Sequence, residues 1–83
     1  GTVKLQIAFP SDEPPALPEG VQVLHTDHTG RVYTYIVRGS VDDVEARFKP
    51  LNPLFLEALP LTLEEIFIYE MGGEDYAVRD IVL

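Results

Sequence analysis

The chain has 83 residues, 46% of them hydrophobic, with a mean hydropathy of +0.06, which makes it one domain long enough to close a core, globular rather than disordered as a whole. Its formal net charge is −8, and its six basic residues, Lys4, Arg31, Arg38, Arg47, Lys49 and Arg79, are scattered, which argues against nucleic acid and anionic lipid as partners. It has no cysteine and no run near the roughly twenty apolar residues that span a bilayer, so a disulfide framework, a thiolate metal site and direct membrane insertion are all disfavoured, a reducing cytosol suits it, and any membrane connection runs through a partner.

Thr2 to Phe9 alternates, with Val3, Leu5, Ile7 and Phe9 on one side and Thr2, Lys4, Gln6 and Ala8 on the other, the period of a half-buried strand. With no initiating methionine and a strand beginning at once, the sequence is expected to be part of a longer polypeptide that continues upstream. Residues 10–20, PSDEPPALPEG, hold four of the seven prolines and predict a stiff surface connection. Val21 to Thr26 and Arg31 to Arg38 follow as two strands of a hairpin around Asp27-His28-Thr29-Gly30, where the glycine supplies a positive φ. In the second of these, Val32 and Ile36 are expected inward, leaving Tyr33 and Tyr35 on the other face as a candidate interface.

Ser40 and Asp43 repeat a capping pattern ahead of Val41, Val44, Phe48 and Leu51, which predicts a short helix over about 40–49, stopped by Pro50 and Pro53. Residues 54–60 read as a fourth strand. Thr62 and Glu65 then form a capping box, and Leu63, Ile66, Phe67 and Met71 recur at helical spacing until Gly72-Gly73 ends the helix. The expected fold is α+β: an open four-stranded mixed sheet with two helices packed on one face, in the order βββαβα, ferredoxin-like in layout. The third and fourth strands become parallel neighbours if the first helix is a crossover. Residues 1–73 form the domain. Residues 74–83 are a tail, with Tyr76, Ile81 and Leu83 as further candidate interface residues, that either docks or adds an edge strand.

No catalytic, cofactor or metal set emerges. His25 and His28 with Asp27 are the natural seed of a metal site, but polar residues belong at a hairpin end, and this spacing does not bring both rings to one ion. Glu64-Glu65 and Asp42-Asp43 are adjacent on helices and so do not face each other as an acid-base pair, and one member of each has a capping role. Ser11 and Ser40 lack a nucleophile elbow, and no phosphate-binding glycine loop occurs.

Leu59-Pro60-Leu61-Thr62-Leu63-Glu64-Glu65-Ile66-Phe67, preceded by a strand at the end of a small acidic domain, resembles the C-terminal accessory domain of bacterial ABC-transporter ATP-binding subunits, of the daunorubicin-resistance exporter type. The strong part of the match covers about fifteen residues, and Tyr76 to Leu83 resembles the short tail that some members carry. The resemblance implies a non-catalytic assembly or regulatory domain behind an upstream ATPase domain of the same polypeptide, which holds the ATP and magnesium. It implies a second ATPase subunit and, indirectly, a membrane permease as partners, at the cytoplasmic face of the membrane. In this reading Thr62, Leu63, Glu65, Ile66 and Phe67 anchor the closing helix on the sheet. The alternative is a small-molecule-sensing regulatory domain, which shares the layout and calls for an apolar pocket with polar lining.

Overall fold

The computed structural model describes residues 1–13 and 15–71. The expectations for the tail, for Gly72-Gly73 and for Tyr76, Ile81 and Leu83 lie outside the described residues. The elements are β1 (Thr2–Ala8), β2 (Gln22–Thr29), β3 (Val32–Arg38), α1 (Val41–Phe48) with a 3₁₀ turn at Lys49–Leu51, β4 (Phe55–Leu59) and α2 (Leu63–Glu65), which runs on as a π-helical turn over Ile66–Glu70. The fold is α+β with four strands in one open sheet, in the expected order of elements.

The sheet runs β2-β3-β1-β4, and every neighbouring pair is antiparallel, so the mixed sheet of the expectation is antiparallel throughout. β3 and β4 do run parallel, but β1 lies between them. The two crossovers, β1 to β2 and β3 to β4, each skip one strand, which is the split arrangement of a ferredoxin-like sheet. α1 makes the second crossover, and the proline-rich stretch makes the first, where prolines leave no helix to form. Two arginines hold that stretch: Arg31 donates to the Asp12 carboxylate at 2.9 Å and to the Pro10 carbonyl at 3.1 Å, and Arg47 donates to the Glu19 carbonyl at 3.1 Å.

The hairpin is tighter than the sequence suggests. Thr29 still pairs with Val32, so only Gly30 and Arg31 turn, with Gly30 at φ 60° and Arg31 outside the positive-φ region, the pattern of a type II′ turn.

Register sorts the side chains into two faces, because paired residues point the same way. Val3, Leu5 and Ile7 stand beside Val37, Tyr35 and Tyr33 and, on the other side, Leu5 and Ile7 beside Ala58 and Leu56. α1 covers this face with Val44 and Phe48, and together with Phe9 these residues form the buried core. Phe9 meets Tyr33 edge-on at 5.6 Å, Tyr33 stacks on Tyr35 at 5.8 Å, and Tyr35 packs against Phe48 at 5.8 Å. The tyrosines therefore belong to the core face rather than an outer one. Tyr35 is only 3% exposed and is lost as an interface residue, while Tyr33 is half-buried. Ile36 is buried as well, but on the opposite face.

The two helices do not share one face of the sheet as expected. Lys4 shares the face of Ile36 and Leu59, opposite to Val3 and Leu5, and its ammonium reaches Glu65 at 3.1 Å. His25, also beside Ile36, has its ring 6.2 Å from that of Tyr69. The closing helix thus lies on the face away from α1, and the sheet is sandwiched between the two helices.

Candidate interaction surface

The closing helix begins where the sequence places it. Thr62 accepts the Glu65 backbone N–H at 3.1 Å, and the Glu65 carboxylate accepts the Thr62 N–H at 2.8 Å, which completes the capping box. The same carboxylate binds Lys4, and the two side chains are 23% and 21% exposed. The Thr62 amide first, and Lys4 after it, hold the Glu65 carboxyl below its ordinary value of 4.5, against the opposing pull of partial burial.

This double use of Glu65 fixes how the helix is rotated. A residue two positions away on a helix points about 200° round the axis. With Glu65 turned to the sheet, Leu63 is turned outward, and it is 86% exposed. Leu63 is therefore no anchor. Ile66 and Phe67 are half-buried, as are Ile68 and Tyr69, while Met71 is 69% exposed. The π turn explains this spread: the Met71 N–H donates to the Ile66 carbonyl at 3.2 Å, five residues back, so the helix widens and the expected 3.6-residue stripe from Leu63 to Met71 is not kept.

β4 forms the sheet edge on the same side. Phe55, Glu57 and Leu59 share the Lys4 face, with Phe55 at 41% and its neighbour Leu54 at 68% exposure. Leu54, Phe55, Leu63 and Met71 are thus large apolar side chains left facing outward within an 18-residue stretch, 54–71, whose charges, Glu57, Glu64, Glu65 and Glu70, are all acidic. Such residues in one acidic stretch suit contact with another protein rather than bond-making. The sequence reading missed Lys4, Leu54 and Glu57. The signal for Lys4 was its place in β1, on the opposite side from Val3 and Leu5.

The remaining candidates stay apart. A bulge at Leu24 sets the later half of β2 so that His25 lies beside Ile36 and His28 beside Tyr33, on opposite faces. His28 stacks on Tyr33 at 4.7 Å and His25 approaches Tyr69 instead. Among the described residues, no group of three or more His, Cys, Asp or Glu is placed to hold a metal ion. Asp43 accepts from Arg47 at 3.1 Å and its N–H caps onto Ser40, both ordinary helix roles. No helix among the described residues is long and apolar enough to cross a membrane.

No family model matches the chain, and no solved structure matches it. Over 72 residues, 87% of its length, it is 32% identical to the ABC transporter ATP-binding protein YtrB of Bacillus subtilis (strain 168). The chain spans about a quarter of that protein, 24% of its length. The chain is thus related to one region of an ABC transporter ATP-binding protein.

Proposed function

We propose that this chain is a non-catalytic accessory domain, C-terminal to the nucleotide-binding domain of an ABC-transporter ATP-binding subunit, that helps pair subunits or regulates ATP-driven export. The observation that carries this reading is the 32% identity across 87% of the chain against only 24% of an ATP-binding protein. Most of the relative's length therefore lies outside the region shared with this chain. In this proposal ATP and magnesium are bound by the upstream domain of the same polypeptide, and the chain itself holds neither. The contacts are with that domain, with a second ATPase subunit and indirectly with the permease, at the cytoplasmic face of the membrane.

The packing supports contact over ligand sensing. Phe9, Phe48, Leu5, Ile7, Val37 and Val44 are fully buried and fill the space between α1 and the sheet, where a sensing domain of this layout needs a cavity. Large apolar side chains are left outside instead, Leu17 and Val41 singly and Leu54, Phe55, Leu63 and Met71 within one stretch.

The test uses the intact subunit with and without this domain, and a Phe55→Asp, Leu63→Asp variant. Nucleotide binding is expected to survive in all three, while subunit pairing by sedimentation, or permease-coupled ATP hydrolysis, falls in the truncated and variant forms. Unchanged pairing, hydrolysis and transport would overturn the proposal, as would ATP hydrolysis by the 83-residue chain alone.

A further inference from the structure

Among the described residues the sheet has two edges, β2 and β4, and they are built differently. β2 is interrupted by a bulge between Val23 and His25, and His25, Thr26, Asp27, His28 and Thr29 lie exposed along it. A bulge and a polar run are both ways in which a sheet refuses a further strand. β4 has neither. Phe55 to Leu59 follow β1 in unbroken register, Phe55 is exposed, and the strand carries a single charge, Glu57, at its centre. Pro53 and Pro60 flank the paired residues without interrupting them. An edge of this kind presents alternate backbone N–H and C=O groups that a further strand can bond.

We propose that β4 is a strand-addition site for an extended segment of a partner polypeptide, with Lys or Arg facing Glu57 and an apolar residue two positions to either side, facing Phe55 and Leu59. Phe55, Glu57 and Leu59 lie on one face of the sheet, so the three opposing residues of an added strand meet them directly. Charge selects the occupant. A second copy of this chain, pairing antiparallel about the centre of β4, sets Glu57 against its own counterpart, and like charges directly opposite are unfavourable. The net charge of −8 adds to that repulsion. A basic centre between two apolar residues satisfies all three positions. The inference shares with the proposed function the expectation of a protein partner, but its test does not involve ATP.

The test titrates the labelled full chain with a blocked nine-residue peptide of threonines carrying a central lysine and a valine two positions to each side, read by amide resonances. Shifts confined to residues 54–60 are expected. Replacing the central lysine by glutamate weakens binding about tenfold, and Glu57→Lys inverts the preference between the two peptides. Glu57 is exposed, so this variant is expected to fold, and its spectrum serves as the check. Shifts along β2, equal binding of both peptides, or no binding would overturn the proposal. Dimerisation of the chain through β4 would assign the edge to a second copy instead, and binding that emerges only after residues 74–83 are removed would assign it to the chain's own C-terminus. Either result also overturns it. If the peptide fails while deletion of the domain still alters pairing or hydrolysis, the accessory role stands without this edge.

Discussion

The placement of the closing helix against the Lys4 face can be tested with one ion pair. Lys4→Met keeps the aliphatic stem over the sheet and removes the charge, and Glu65→Gln keeps a side-chain oxygen for the Thr62 N–H while removing the charge that Lys4 meets at 3.1 Å. Fully exposed pairs contribute about 0.2–1 kcal/mol, and hydrogen bonds to charged groups about 1.5–3 kcal/mol. With side chains 21% and 23% exposed, the pair lies between these regimes, and a double-mutant cycle should give a coupling of about 1 kcal/mol. The assay is urea unfolding of the four proteins at neutral pH. A second reading comes from acid. The Glu65 carboxyl is held below 4.5 when folded, so ionisation favours the native state, and this contribution is present above 4.5 and lost as pH falls from there through the lower folded value. Glu65→Gln removes that part of the acid sensitivity, leaving a flatter stability profile in this window. A coupling of zero with an unchanged acid profile would refute the argument, because Glu65 would then point to solvent and the helix would not lie where Lys4 places it.

Three further outcomes follow from the packing. Phe48 is fully buried against Tyr35, so Phe48→Ala should cost about 3–5 kcal/mol in urea unfolding, and a loss below 1 kcal/mol, roughly the scale of a surface change, would remove α1 from the core. Thr62→Ala deletes the acceptor for the Glu65 N–H and should cost about 1 kcal/mol, so an unchanged midpoint would place the helix start elsewhere. Burial, and then the neighbouring Tyr33, push the Tyr35 hydroxyl above 10.0, so stability tied to its neutral form is complete below 10.0 and is lost as pH rises through the folded value. A spectrophotometric titration should show one tyrosine lagging the others, absent in Tyr35→Phe, and a single common titration would contradict the burial of that ring.

Local signals in the sequence carried the elements. Alternation in Thr2 to Phe9 marks β1, the glycine at position 30 marks the hairpin, and Ser40 and Thr62 mark both helix starts, because each of these depends on residues a few positions apart. What escaped is decided by contacts far apart in the chain. β4 pairs with β1 rather than β3, which fixes the sheet as antiparallel and depends on a register that no local pattern encodes. The tyrosine face had the same alternation whether it looked inward or outward, and only the arrival of α1, with Phe48 against Tyr35, settled it. Both faces of β3 are in fact buried at its centre, so choosing one face as the inner one was the wrong question for Tyr35 and Ile36.

The surface of the closing helix follows from that same long-range contact. Were Leu63 turned to the sheet, Glu65 would sit about 200° away, facing water, and Lys4 would be left half-buried on the sheet with no carboxylate. Turning Glu65 inward satisfies Lys4 and the Thr62 amide with one side chain, and the cost is an outward Leu63. The exposed leucine is thus the far side of a polar contact rather than an excess of apolar residues in the helix. It stands next to Glu64, and at the sheet edge Phe55 stands two residues from Glu57, so apolar contact on this side is bordered by negative charge. If this side makes the proposed protein contact, such borders in a chain of net charge −8 would favour basic partners and make that contact selective by charge.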